Sequence, residues 1–256
     1  MGEFLGFGGY TRPAEGYMSW QHLTFVTALV AAMILLAVVL GRKNRTASLA
    51  EKNRTLVAAA LLIDGVELFK ILIFCLRSES FRPILNNLPL FLCSIQLITI
   101  PMAAFCKGRL RDAALDFVAI FGLLGAVLGT YGAGNNYSCY PVLSLDNVAS
   151  GVTHCISGFA ALYILISGMA PLEKKEIPIT FGILTGFCAG AWIANTFLDT
   201  NYMFLVRGDG TPYDILLSLL GGNKILYPLS VVALFFLYIS CFYAIHRLCR
   251  KKAKVS

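Results

Sequence analysis

Two residues of the sequence could act together as a nucleophile and its base, Cys93 and His154. A thiol attacks well only as the thiolate, and a neighbouring histidine is a common group to take its proton. Each residue lies in the first half of an apolar segment, so their depths match if both segments enter a membrane from the same side. The two side chains can meet if those segments are neighbours, and the thiolate could then attack an acyl ester.

A second group of polar residues falls within or at the ends of apolar segments, in the same half of the molecule. An ionisable group inside a membrane costs about 2.5–3.5 kcal/mol, so these side chains should face the interior of the helix bundle. The other half of the bundle is almost wholly apolar, which favours a one-sided pocket over a channel. The group comprises His22, Glu67, Lys70, Gln96, Asn195 and Asp199.

Spacing and residue type suggest roles for most of this group. Glu67 and Lys70 are three residues apart, on one helix face, and could neutralise each other. Lys70, Gln96 or Asn195 could donate a hydrogen bond to an oxyanion formed during acyl transfer. Either Glu67 or Asp199 could orient the histidine. The sequence does not choose among these candidates.

Each residue also has a purely structural interpretation. The Glu67–Lys70 pair could serve only to fix packing, and a lone cysteine in an apolar helix usually behaves as a small hydrophobe. His154 shares a helix face with serine and asparagine residues and could be hydrogen-bonded there. His22 could belong to a belt of aromatic side chains at the membrane interface. The combination of a thiol and an imidazole at one depth is what favours chemistry.

The elements that must position these residues follow from the composition. Of the 256 residues, 57% are hydrophobic and only 14% are charged, which is too apolar for a soluble domain. Seven segments reach the roughly 17–25 apolar residues that a bilayer core requires. We therefore predict an all-α polytopic membrane protein with a single transmembrane domain over residues 1–256. The seven helices are expected at about 19–40, 55–76, 84–105, 113–131, 147–168, 177–198 and 225–248.

Basic residues predict the orientation of these helices. Of the 21 Lys and Arg residues, 15 lie in or beside loops 41–54, 106–112 and 169–176 and the C-terminal tail, and five lie on the other side. Cytoplasmic loops carry the excess of positive charge, so we predict the N-terminus outside and the C-terminus in the cytoplasm. This asymmetry accounts for the net charge of +7, and we expect no nucleic-acid partner.

Other chemistries have weaker support in the sequence. A retinal protein needs a buried lysine, usually in the last helix, where this chain has only Lys224 at the edge. We predict no cofactor and no bound metal. Zinc-dependent hydrolysis stays open as a third interpretation, and it would require ligands to converge from His22, His154, Glu67 and Asp199.

Three segments have distinctive sequences. They are Leu88-Pro89-Leu90 followed by Leu92-Cys93-Ser94-Ile95, the run Asp199-Thr200-Asn201-Tyr202-Met203-Phe204-Leu205, and the stretch from Asp64 to Lys70. Together they resemble the YwaF-type integral membrane proteins of bacteria, and the likeness extends over nearly the whole chain. The resemblance implies a multi-pass protein of the bacterial cytoplasmic membrane, and it adds Asn201 to the supporting polar residues.

The YwaF-type family also looks related to an animal membrane acyltransferase that loads polyunsaturated chains onto ether lysophospholipids. In that relative a cysteine of the third helix and a histidine of the fifth are thought to carry the reaction. By position they correspond to Cys93 and His154. The sequence departs from the family at Phe91, where many bacterial members have histidine, so no third imidazole is available at that position.

These inferences together predict a membrane-embedded lipid acyltransferase or transacylase. Its partners would be membrane phospholipids as acyl donors and lysolipids as acceptors, because an outward pocket has no access to cytosolic acyl-CoA. Hydrolysis is a close variant of the same chemistry. The alternative is a small transporter or a lipid- or solute-binding protein built as three helices, one linker helix and three more. The sequence leaves the oligomeric state open.

Overall fold

The computed structural model describes residues 2–252, with side chains described up to Cys249. Within this range the chain is all-helical and contains no strand. The helices are α1 (Gly2–Leu5), α2 (Trp20–Lys43), α3 (Leu49–Ser78), α4 (Arg82–Asn86), α5 (Gln96–Phe105), α6 (Gly108–Thr130), α7 (Gly134–Cys139), α8 (Leu145–Ser167), α9 (Ile177–Leu198), α10 (Tyr213–Leu219) and α11 (Leu226–Lys252). Two single 3₁₀ turns, Lys174–Glu176 and Tyr202–Phe204, flank α9.

Five helical stretches among the described residues are long and apolar enough to cross a membrane. They are Trp20–Lys43, Gly108–Cys139, Leu145–Ser167, Lys174–Leu198 and Leu226–Cys249. Helix α3, at 30 residues, is long enough but carries Asp64, Glu67 and Lys70 near its middle. A seven-span arrangement therefore stays a prediction.

The predicted helix over 84–105 is wrong as a continuous element. Helix α4 ends at Asn86, and α5 begins only at Gln96, with turns and extended backbone between them. Pro89 accounts for the break, because proline lacks the N–H that a helix interior needs and disfavours helical backbone in the preceding residue. The break matters for function, since Cys93 lies within it.

Side-chain caps fix where helices α3 and α8 begin. Ser48 forms a capping box with Glu51 at the start of α3. Ser144 accepts a hydrogen bond from the backbone N–H of Asn147 at the start of α8. Helix α8 ends at Gly168, whose φ of 72° is the left-handed conformation that glycine adopts freely. A serine side chain therefore fixes the start of each of these two helices.

Helices α6 and α8 form the centre of the bundle. Helix α8 packs against α2, α3 and α6, while α6 also packs against α5 and α9. Every residue from Ala113 to Gly122 on α6 is buried, so this part of the helix is covered on all sides. One apolar cluster joins α3, α5, α6 and α8, and another joins α6, α9 and α11.

A polar clasp joins the end of α3 to the start of α8. The Arg77 guanidinium lies 2.8 Å from the Asp146 carboxylate, and the Tyr10 hydroxyl donates a hydrogen bond to the same carboxylate. Burial, together with this hydrogen bond, raises the pKa of Tyr10 to about 12, so its hydroxyl stays protonated at physiological pH. The clasp holds together the two helices that carry Lys70 and His154.

Candidate cysteine and histidine site

A cavity of about 140 Å³ brings together three parts of the chain: α3, the broken segment before α5, and α8. Four of the polar residues selected from the sequence line it: Glu67, Lys70, Cys93 and His154. The rest of its lining consists of Ile63, Asn86, Asn87, Leu88, Phe91, Ser94, Leu97, Ser150 and Thr153. The thiol and the imidazole that could form a nucleophile and base thus share one space.

Helix α6 provides the surface against which both reactive side chains rest. A β-carbon placed on Gly125 would lie 3.5 Å from the Cα and Cβ atoms of Cys93. A β-carbon placed on Gly129 would lie only 2.2 Å from the ring of His154. Residues four apart are separated by about 6 Å along a helix and lie on one face. Cys93 and His154 therefore contact the same face of α6 at positions one turn apart.

The break in the third apolar segment gives Cys93 an unusual local environment. The Ser94 hydroxyl accepts a hydrogen bond from the backbone N–H of Phe91 at 3.0 Å, and this contact forms the turn that leads into α5. The backbone N–H groups of Cys93 and Ser94 lie near the Cys93 sulfur, in the turn that precedes the first residue of α5. N–H groups carry partial positive charge, so these two would help to stabilise negative charge that develops on the sulfur or on a carbonyl oxygen beside it.

Glu67 and Lys70 form the ion pair that their spacing predicted. The Lys70 ammonium lies 2.6 Å from the Glu67 carboxylate, and both side chains are largely buried. Pairing keeps the net charge of the two groups at zero, which lowers the cost of placing them in an apolar bundle. Lys70 is also close enough to Cys93 and His154 to interact with both electrostatically.

Five of the residues selected from the sequence lie outside this cavity, His22 and Gln96 among them. His22 is fully buried, and its two ring nitrogens contact the backbone N–H of Met18 and the carbonyl of Thr130, each at 3.2 Å. Gln96 is also fully buried, and its side-chain oxygen accepts a hydrogen bond from Thr99 at 3.0 Å. Both ring nitrogens of His22 therefore have partners away from the cavity, and Gln96 is not among the residues that line it.

The other three polar residues, Asn195 in the last turn of α9 and Asp199 and Asn201 after it, lie at a loop instead. Asn195 receives hydrogen bonds from Thr200 and from the backbone N–H of Tyr202, and it donates to the Tyr202 carbonyl. Asn201 contacts the backbone of residues 206 and 207 and the carboxylate of Asp209. Asp199 is exposed and ends α9 in the left-handed conformation, with φ of 51°. The side chains of Asn195 and Asn201 are therefore occupied in holding the turn.

The convergence that a zinc site would need does not occur. Across residues 2–252, no group of three or more histidine, cysteine or carboxylate side chains is placed to hold a metal ion. His22 and Asp199 in particular lie away from the cavity that contains His154 and Glu67.

The loop after α9 nevertheless reaches the site through Tyr202, which is not among the site residues selected from the sequence. The Tyr202 side chain is fully buried, and its hydroxyl donates to the Leu85 carbonyl at 2.5 Å and accepts from the Leu88 N–H at 3.2 Å. Its ring packs edge-on against Phe91 at 4.9 Å. Tyr202 thus fixes the broken segment just before Cys93. The only sequence signal was its place within the Asp199–Leu205 run.

Removing this hydroxyl in Tyr202→Phe should loosen the broken segment. Two backbone groups would lose their partner, and we expect a loss of about 1–3 kcal/mol in the free energy of unfolding. Alkylation of Cys93 should also become faster. Thermal unfolding in detergent and peptide mass spectrometry measure the two effects. Tyr213→Phe is the matched control, because the structure gives the Tyr213 hydroxyl no hydrogen-bond partner within residues 2–252; equal behaviour of the two variants would contradict the role of Tyr202.

Comparison with known families agrees with the membrane character of the chain. Residues 17–243 match the sequence model of the TMEM164 family. The chain belongs to the TMEM164 family. The matched region contains the whole cavity, both reactive side chains and the Tyr202 loop. As a member of this transmembrane family with several apolar helices, the chain is a multi-pass membrane protein. Searches of curated proteins and of solved structures give no match.

Proposed function

We propose that this TMEM164-family chain is a lipid acyltransferase or transacylase in which Cys93 is the nucleophile and His154 the base. The observation that supports the proposal most is that both side chains line one cavity. Both residues also pack against the same face of α6, at positions one turn apart. A thiol in an apolar bundle needs a proton acceptor to become reactive, and among the described residues His154 is the only histidine that lines this cavity.

The proposed reaction has two steps. His154 takes the Cys93 proton, and the sulfur bonds to the carbonyl carbon of a phospholipid ester, whose C–O bond breaks as the lysophospholipid alcohol leaves with that proton. The hydroxyl of a second lysolipid then gives its proton to His154 and attacks the thioester. The carbon–sulfur bond breaks, and Cys93 recovers its proton. Water in place of the lysolipid would give hydrolysis.

Donors for the oxyanion come from the turn before α5 in this proposal. The N–H groups of Cys93 and Ser94 lie near the sulfur, so they would also lie near the carbonyl that the sulfur attacks. Lys70 stays a candidate, because it lines the same cavity. Asn195 is a poor candidate, since its side-chain nitrogen already donates to the Tyr202 carbonyl.

The size of the cavity favours a substrate that stays mostly in the bilayer. Its volume of about 140 Å³ is below the 300–1,000 Å³ typical of pockets that enclose a whole drug-sized ligand. It has room for an ester and its neighbouring groups, while the acyl chain extends into lipid. A phospholipid donor and a lysolipid acceptor fit this geometry.

The membrane arrangement that accompanies the proposal has seven spans. Helix α3 and the α4–α5 segment supply the two spans beyond the five apolar helices, with the N-terminus outside and the C-terminus in the cytoplasm. Irregular backbone at membrane depth is tolerated where it lines a cavity, as residues 87–95 do. The ion pair of α3 lowers the cost of its charges. We place the protein in the bacterial cytoplasmic membrane with the site towards the outside.

Intact-protein mass spectrometry after incubation with phospholipid vesicles tests the covalent step. We expect an acyl adduct that hydroxylamine removes, that maps to the Cys93 peptide, and that disappears when lysolipid is added, with the matching diacyl lipid formed. Cys106→Ala is the matched control, because Cys106 follows the far end of α5 and does not line the cavity. Absence of both adduct and lipid product would count against acyl chemistry and favour the transporter or binding alternative.

A further inference from the structure

The ring of His154 lies against the bare backbone of Gly129. A β-carbon at position 129 would lie 2.2 Å from the Cε1 and Nδ1 atoms of the ring and 2.3 Å from Nε2. Three ring atoms at nearly equal distances show that the imidazole covers the place where a side chain would begin. Carbon atoms do not approach this closely without a shift, so only glycine leaves room for the ring in this position.

The backbone itself gives no reason for glycine at this position. Gly129 lies inside α6 and does not have the positive φ that other residues avoid. Alanine is the better helix former. Four residues earlier, a β-carbon on Gly125 would meet Cys93 at an ordinary 3.5 Å. The tight contact is therefore specific to the histidine, and the glycine is explained by the ring that covers it.

We infer that Gly129 is a positioning residue, which sets the location and tilt of the His154 imidazole beside Cys93. The inference rests on the proposed function, since it assigns how the base of that site is held. An alanine methyl group would force the ring to move by about 1.2 Å, from 2.2 Å to an ordinary contact of 3.4 Å. A misplacement of about 1 Å in a catalytic group can cost about 10²-fold in rate.

The test compares Gly129→Ala with wild type, with His154→Ala and with the double variant. Alkylation of Cys93 by iodoacetamide is followed across pH by peptide mass spectrometry, and acyl transfer is measured in vesicles. We expect the pH profile of Gly129→Ala to match that of His154→Ala, and its transfer rate to fall about 10²-fold. If Gly129 acts through His154, the double variant should be no slower than His154→Ala alone.

Gly186→Ala on α9 is the matched control. A β-carbon there would meet nothing within 4 Å, so this variant should keep the wild-type pH profile and rate. Thermal unfolding of Gly129→Ala should match or exceed that of wild type, because alanine favours the helix. A loss of transfer without a loss of stability separates displacement of the ring from general damage to the fold.

Three results would overturn the inference. One is a wild-type pH profile for Gly129→Ala. Another is a double variant that is slower than His154→Ala by the full factor that Gly129→Ala causes by itself. The third is an identical alkylation profile in wild type and His154→Ala, which would mean that the histidine does not act on Cys93. Failure of the proposed function looks different: wild type would form no adduct and transfer no acyl chain, while the alkylation profiles would still report how Gly129 holds the ring.

Discussion

Cys93→Ala should abolish acyl transfer, with a loss of at least about 10³-fold, because Cys93 is the only thiol among the described residues that line the cavity. The hydroxylamine-labile adduct should disappear in the same variant. Cys93→Ser should be nearly as impaired, since a hydroxyl is far harder to ionise than a thiol. Transfer of a labelled acyl chain from phospholipid to lysolipid in vesicles, together with intact mass, measures both effects.

The fold should survive this substitution. Cys93 is half-buried beside a cavity, and alanine removes a single heavy atom. Thermal unfolding is therefore expected to change little. If Cys93→Ala retained transfer at wild-type level, the nucleophile would lie elsewhere and the assignment of this cavity would fail.

His154→Ala should lower the transfer rate by about 10²–10⁴-fold, the usual contribution of a positioned general base. Adduct formation should slow by a similar factor at neutral pH. At high pH, where solvent alone ionises the thiol, the difference from wild type should narrow. The measurement is the rate of adduct formation across pH, followed by quenching and intact mass spectrometry.

His22→Ala is the matched control for the second prediction. His22 is fully buried, with both ring nitrogens partnered, and it does not line the cavity. Its loss should reduce the free energy of unfolding by about 1–3 kcal/mol while the rate per folded molecule stays near wild type. If His22→Ala slowed transfer as much as His154→Ala at equal folded fraction, the roles assigned to the two histidines would be wrong.

The segment around Cys93 shows what the length of an apolar run predicts and what it does not predict. The hydrophobic run 84–105 was long enough for a span, and it does contain two helices. Pro89 is a sequence signal for an interruption, although proline is also tolerated in membrane helices. The interruption is central to the site, because Cys93 lies within it and lines the cavity.

Local spacing on a single helix was sufficient to predict some of the site. Glu67 and Lys70 are three residues apart and lie on one face of α3. Their ion pair at 2.6 Å confirms the prediction made from that spacing. The all-helical class and the membrane character likewise followed from apolar length and composition, which do not depend on how the helices pack. The relative depth of residues on one helix is predictable in the same way, because each residue adds a fixed rise along the helix axis.

Only the tertiary structure decided which residues of equal depth meet. His22 and His154 were alike in sequence, yet packing turned one towards the Thr130 carbonyl and the other into the cavity with Cys93. Asn195 and Asn201 were drawn into the turn that presents Tyr202. The sequence determined the all-helical class, the membrane character and the charges that each segment carries. The rotation of each helix about its axis, and the choice of its neighbours, arise from contacts between residues far apart in the chain, so they emerge only in the packed bundle.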